Sequence, residues 1–350
     1  MLRREFIAGL GSAAAWPVVA RAQQQAMPVI GYLGVGPTRP SLAFLAGLAE
    51  TGYVEGRNFV LEVRLAEDNG QLPALAADFV RRRVAMIFAV ATPAAVAAKS
   101  ATTAIPIVFG TGTDPVEDGL VVSLNRPGAN ITGVTVLTYE LTGKRIELLH
   151  EIVPAATTIG FLLDPTGAFI EALTKNAEAA SRALGVQLAI LKASTPSQIE
   201  TAFTALIDRR IGALAIGTGT GFFGRQREQI VSLTARHGMP VIYPYREDVE
   251  VGGLMSYGPN LAEAFRIAGT YAGRILKGEK PADLPVQRST RIETIINLKT
   301  AKARRNPFPC NRPRDRLPRS AGEITDATAG VHHGAWRCGR KQRGGIFHGK

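Results

Sequence analysis

Ala104-Ile105-Pro106-Ile107-Val108-Phe109 and Gly238-Met239-Pro240-Val241-Ile242-Tyr243 are the same short phrase written twice, 134 positions apart. Each follows a helical stretch, sets proline at the first residue of a strand, where no ladder hydrogen bond is lost, and continues as an unbroken apolar run. Such runs are what a parallel sheet covered on both faces requires, since no position along the strand meets water. Working outward, the first phrase ends a series of runs at 29–33, 59–63, 84–90 and 105–109, with helical spacing near 41–51, 72–83 and 93–101. The second ends an equivalent series at 159–163, 186–191, 213–216 and 240–243, with helices near 168–184, 196–209 and 223–237. Strand and helix alternating in this way predict an α/β fold of two Rossmann-like lobes, each with a parallel sheet.

The chain crosses between lobes at three expected places, Gly133 to Thr138, Gly252 to Gly258 and Val286 to Glu293, which form a three-strand hinge. The organisation read from these is an N-terminal lobe of 23–135 plus 258–285 and a C-terminal lobe of 136–257 plus 286–303. Each lobe is of ordinary domain size.

The two ends differ from this body. Residues 1–22 set Arg3-Arg4 before an apolar stretch from Phe6 to Ala20 and end in Ala20-Arg21-Ala22, the pattern of a twin-arginine-like export signal removed after Ala22. The apolar stretch is too short to span a bilayer, which needs about 20 residues. No cysteine follows the cleavage position, so the expected product is a soluble periplasmic protein without a lipid anchor. Residues 304–350 carry 11 Lys/Arg and 3 Asp/Glu, a net +8. With +2 on residues 1–22, the formal +12 of the whole chain leaves only +2 on 23–303, so the body offers no electrostatic case for nucleic acid. Both cysteines, Cys310 and Cys338, also lie in the last segment, which has too few large apolar residues for a core and reads as disordered. Two readings of that segment stand side by side, a frameshifted ending after Ala303 and a genuine basic tail.

Beyond the repeat, Gly47-Leu48-Ala49-Glu50-Thr51-Gly52-Tyr53-Val54-Glu55-Gly56-Arg57-Asn58, Ser123-Leu124-Asn125-Arg126-Pro127-Gly128-Ala129-Asn130-Ile131-Thr132-Gly133-Val134, and Gly253-Leu254-Met255-Ser256-Tyr257-Gly258 carry a family resemblance. So does Gly273-Arg274-Ile275-Leu276-Lys277-Gly278 with the segment after it. The chain over 27–303 resembles the periplasmic substrate-binding proteins of the ABC transporter tryptophan/tyrosine-type group, which have the type I periplasmic-binding fold. The resemblance implies an uptake receptor that closes two lobes on a small solute, an amino acid of aromatic kind, and then meets the membrane permease of the transporter. It implies a monomer, no cofactor, no metal and no enzymatic activity.

In a parallel α/β sheet the ligand lies beyond the carboxyl ends of the strands. The candidate ligand residues there are Thr38, Thr92, Pro93, Thr111, Asp114 and Thr138, then Asp164, Thr218, Tyr245, Ser256 and Tyr257. Thr92 reads as an N-cap with Pro93 at the first helical position, leaving amides free for a solute carboxylate. Thr92 equally suits capping alone. Asp114 suits a solute ammonium group, or the start of its own turn. Tyr245 and Tyr257 suit stacking on an aromatic solute. Phe222 and Phe223 read as core.

Two rival classes weaken on inspection. Gly217-Thr218-Gly219-Thr220-Gly221 after a strand suggests an exported Rossmann-like enzyme with a nucleotide cofactor, but the third glycine of the fingerprint would fall on Phe222. A repressor-type regulator needs a DNA-reading helix pair where the export signal stands. His150 and His237 are the only histidines of the body and lie far apart, so no metal cluster is indicated.

Overall fold

The computed structural model describes residues 27–36, 41–167, 170–218 and 221–303, with the backbone of 325–326. Thr38, the proposed signal and nearly all of the 304–350 segment lie outside the described residues.

The central apolar runs form strands whose side chains are buried on both faces, while the edge strands Val60–Ala66 and Gln187–Lys192 are only partly covered. β1 (Val29–Val35), β2 (Val60–Ala66), β3 (Met86–Val90), β4 (Ile107–Thr111) and β5 (Ile131–Thr135) pair in parallel. Helices α1 (Leu42–Glu50), α2 (Leu72–Arg81) and α3 (Thr92–Ala101) connect them. Phe44 of α1 stacks on Phe88 of β3 with ring centroids 4.1 Å apart, both fully buried. Burial of such a ring contributes roughly 1.5–3 kcal/mol.

The second sheet repeats the scheme with β6 (Thr158–Leu163), β7 (Gln187–Lys192), β8 (Ala213–Ile216), β9 (Val241–Tyr243) and β10 (Met255–Pro259), all parallel. Its helices are α4 (Thr142–Ile152), α5 (Ile170–Leu184), α6 (Pro196–Asp208), α7 (Phe222–Arg225), α8 (Arg227–Arg236) and α9 (Arg246–Glu250). α10 (Leu261–Leu276) then returns to the first lobe, where Ala264, Ala268 and Tyr271 share a core with Phe44 and Phe88. β11 (Gln287–Arg288) joins β5, and β12 (Ile292–Ile296) runs antiparallel to β10 before α11 (Leu298–Ala303). The strand orders are β11-β5-β4-β3-β1-β2 and, with β13 (Thr325–Asp326) at the edge, β13-β12-β10-β9-β8-β6-β7.

Several sequence expectations shift. Pro106 and Pro240 stand one residue before their strands, not in them, so the strands start at Ile107 and Val241. Most of the segments expected as the first two crossings are sheet: residues 133–135 belong to β5 and 255–258 to β10, because their residues complete parallel ladders with buried neighbours. The chain passes between sheets just after them, over 136–141 and at Asn260, and a third time over 289–291. Gln287–Arg288 extend the first sheet, whereas the sequence reading gave them to the second lobe. The helix expected over 223–237 is two, α7 and α8, separated at Gln226. Helix α9 went unread, and α4 was read only as a helix at His150, without bounds. Within the tail read as disordered, the backbone of Thr325–Asp326 (β13) pairs in parallel with Ile295–Ile296.

Candidate functional site at the crossings

The carboxyl ends of β3, β4 and β5 bring three threonines together. Ala91, with φ of 73°, makes the strand-to-helix turn and is the N-cap of α3. Thr92 is therefore the first helical residue and Pro93 the second, one place later than expected. With its cap role taken by Ala91, the buried Thr92 hydroxyl turns to the Thr113 hydroxyl at 2.7 Å. Thr113 in turn donates to Asp118, whose carboxyl is pushed up by burial. Because the Thr113 proton is used on Asp118, Thr92 is the donor in its own bond, and its hydroxyl then meets a solute only as an acceptor. The sequence reading had this hydroxyl holding a carboxylate, which needs a donor. Thr135 completes the group by donating to the Thr113 carbonyl. Asp114 is occupied locally, its Oδ1 accepting from the Val116 and Glu117 amides at 2.8 and 3.4 Å.

Opposite, the carboxyl ends of β8 and β9 open into a crevice lined by Thr218, Phe223, Arg227, Tyr243, Tyr245 and Asp248. Arg227 Nε donates to Asp248 Oδ1 at 2.6 Å. Asp248 is nonetheless raised from the ordinary aspartate value, because burial outweighs the attraction of that guanidinium. Tyr245 is raised too, first by burial, with Arg145 and a side-chain hydrogen bond to Thr138 acting the other way.

Arg145 of α4 joins the two halves and was missed by sequence reading. Its side chain is 1% exposed. Nε donates to the Tyr257 carbonyl at 3.0 Å and Nη2 to the Thr138 carbonyl at 2.7 Å, so one guanidinium ties the backbone of the first crossing to that of β10, just before the second. Burial lowers its pKa to about 10. The available signal was Thr142-Gly143-Lys144-Arg145-Ile146-Glu147-Leu148-Leu149, where Ile146 and Leu149 mark an apolar helix face.

Glycine permits two close approaches here. Gly258 lies so near Pro244 that a Cβ would sit 1.8 Å from its carbonyl oxygen. Gly36, at φ of 85°, faces Arg225 across the lobes, and a Cβ there would sit 2.8 Å from Arg225 Cδ.

Two lobes facing each other through polar strand ends make a receptor-like cleft, and comparison with known proteins identifies it. Residues 41–305 match the family model described as ABC transporter substrate binding protein. The chain belongs to this family. It is a solute-binding component of a transporter, with the two-sheet α/β fold that the sequence predicts, and the nucleotide-enzyme alternative finds no support. A curated relative, "Tyrosine-binding protein" of Clostridioides difficile (strain R20291), is 30% identical over 262 residues, 74% of each chain. Among solved structures, a conserved domain protein from Vibrio cholerae O1 biovar eltor matches at a TM-score of 0.72 and 25% identity, covering 81% of this chain and 96% of that one. An ABC domain in complex with L-Trp from Streptococcus pneumonia matches at 0.68 and 25% identity, over 80% and 96%.

Of the residues named from sequence, Thr92, Thr111 and Thr138 lie at the first lobe's strand ends and the first crossing, and Thr218 and Tyr245 line the second lobe's crevice. Pro93 stays in the first turn of α3. Asp164 follows β6 directly and accepts from the Thr166 amide and hydroxyl at 3.0 and 2.8 Å. Ser256 is buried in β10 opposite Tyr243 and Ile295. Tyr257 packs against the second lobe's core, and its carbonyl accepts from Arg145. Phe222 and Phe223 lie in the core as expected. Among the described residues no helix is long and apolar enough to cross a membrane, and no three His, Cys, Asp or Glu side chains group to hold a metal.

Proposed function

We propose that this chain is an exported periplasmic receptor that closes its lobes around an aromatic amino acid and delivers it to the permease of an ABC transporter. The observation carrying the reading is the Tyr245–Thr138–Arg145 constellation, which sets an aromatic ring, a hydroxyl and a cation where the lobes meet. The tyrosine and L-Trp ligands in the names of its relatives support the solute class. Arg3-Arg4 and Ala20-Arg21-Ala22 support export by the twin-arginine route, with removal of residues 1–22. Candidate contacts are Thr38, Thr92, Thr111, Thr138, Thr218 and Tyr245. Closure on a hinge removes the solute from water and gives the permease a distinct form to recognise. The two body segments 23–135 with 258–285 and 136–257 with 286–303 act as the moving units, adjusted at Gln287–Arg288 as the first sheet requires.

The test is a thermal-shift screen of the purified chain against the twenty amino acids, simple carboxylates and sugars. Tyrosine, tryptophan or phenylalanine at about 100 times its dissociation constant stabilises by about 2.7 kcal/mol. A shift with a sugar and none with any amino acid refutes the solute class.

A further inference from the structure

Three buried polar groups around the first crossing have no hydrogen-bond partner among the described residues: Arg145 Nη1, Thr111 Oγ1 and Thr142 Oγ1. They come from different elements. Thr111 ends β4 in the first lobe, with its carbonyl held by the Val136 amide. Thr142 opens α4, one helical turn before Arg145 on the same side, since residues three apart are neighbours on a helix. Thr138, whose carbonyl holds Arg145 and whose amide donates to the Gly112 carbonyl at 3.0 Å, lies between them. These side chains are 1–3% exposed.

The asymmetry within the guanidinium is informative. Nε and Nη2 are spent on the Tyr257 and Thr138 carbonyls, both neutral, so the positive charge has no anion. Every described carboxylate ion-paired in the structure is paired to another cation, as Asp248 is to Arg227 and Glu293 to Arg246. Nη1 takes part in neither bond and is buried without a partner, and Tyr245 lies close enough to interact with the guanidinium. A buried cation is costly unless an anion or a set of acceptors meets it, and a free guanidinium N–H with unpartnered hydroxyls at the same crossing suits a carboxylate.

We propose that Arg145 is a specificity-determining residue whose Nη1, with the unpartnered Thr111 and Thr142 hydroxyls at the same crossing, binds the carboxylate of the solute, so that this receptor selects acids over their neutral analogues. This deepens the proposed function and rests on its placing of the solute between the lobes. It also assigns the two ends of an amino acid: the carboxylate to the crossing, and the ammonium group to the first-lobe threonines, where Thr92 offers only an acceptor.

The experiment titrates wild type, Arg145→Gln, Arg145→Lys and Thr111→Val by calorimetry. The probes are tyrosine, tryptophan, phenylalanine, phenylpropionate and glutamate, each beside its carboxamide (for glutamate, the α-carboxamide), with a decarboxylated amine as the third member of each amino-acid set. Wild type is expected to bind the acid about 10- to 100-fold more tightly than the amide, the range for a hydrogen bond to a charged group. Arg145→Gln brings that ratio to within about threefold, and Arg145→Lys restores part of it. A merely structural arginine lowers affinity for acid and amide alike and leaves the ratio unchanged, which overturns the proposal. Should Arg145→Gln fail to fold, Thr111→Val, which touches neither hinge bond, is expected to lower the ratio as well. Equal binding of acid and amide by wild type, or binding of neutral solutes only, also overturns it. Binding of phenylpropionate without any amino acid refutes the aromatic amino-acid reading and leaves the role of Arg145 standing.

Discussion

Glu293 enters the second sheet directly after the third crossing, and replacing it with glutamine tests whether that junction is held electrostatically. Its carboxylate takes Arg246 Nε at 2.8 Å, Arg246 Nη2 at 2.9 Å and Asn260 Nδ2 at 3.1 Å, tying α9, the second crossing and β12 together. The side chains of Arg246 and Glu293 are 34% and 11% exposed. Glutamine keeps one acceptor, turns an amide donor towards a donor and removes the charge. Lost charge-assisted hydrogen bonds cost about 1.5–3 kcal/mol, and partial access of water to Arg246 reduces this to roughly 1–2 kcal/mol. At about 2–4 °C per kcal/mol for a protein of this size, Tm falls by about 2–8 °C. Arg274→Gln is the control, because Arg274 and Glu279 form an equally short pair at 2.6 Å with side chains 41% and 45% exposed. That pair is expected to be worth under about 1 kcal/mol. Scanning calorimetry of the three proteins at one pH and salt concentration decides the matter. A Glu293→Gln midpoint within 1 °C of wild type, or a larger drop for Arg274→Gln, refutes the reasoning.

Three further outcomes follow from the same geometry. Gly258→Ala drives a Cβ to 1.8 Å from the Pro244 carbonyl oxygen and is expected to cost about 1–3 kcal/mol, read as a lower midpoint in urea. Tyr245→Phe removes the hydroxyl that meets Thr138, and solute affinity by calorimetry is expected to drop about 2- to 10-fold with Tm nearly unchanged. Glu247 is raised above the ordinary glutamate value of 4.5 by burial, so the folded state holds its proton more firmly than the unfolded one. Its contribution is complete below that ordinary value and is lost as pH climbs through the raised one. The Tm of Glu247→Gln relative to wild type therefore rises with pH across that window, and a flat difference contradicts the assignment.

The sequence by itself carried the α/β class, the repeat and the two-lobed plan, because continuous apolar strands and one-faced helices are local patterns that burial on a sheet enforces. Ala213-Leu214-Ala215-Ile216 is a strand to the residue. The near-neutral body also offered no electrostatic case for nucleic acid, a reading that composition alone allows. The site was legible only as a neighbourhood. Thr92-Pro93 reads locally as a cap, yet Ala91 takes that role by adopting a positive φ, which no residue type announces. Asp114 shows the converse, a candidate whose own turn absorbs its oxygen. Tertiary structure alone decided that Arg145 is the buried cation of the crossings. Its two carbonyl partners lie 7 residues before it and 112 after it, and only the return of the chain between lobes brings Thr138 and Tyr257 to one guanidinium.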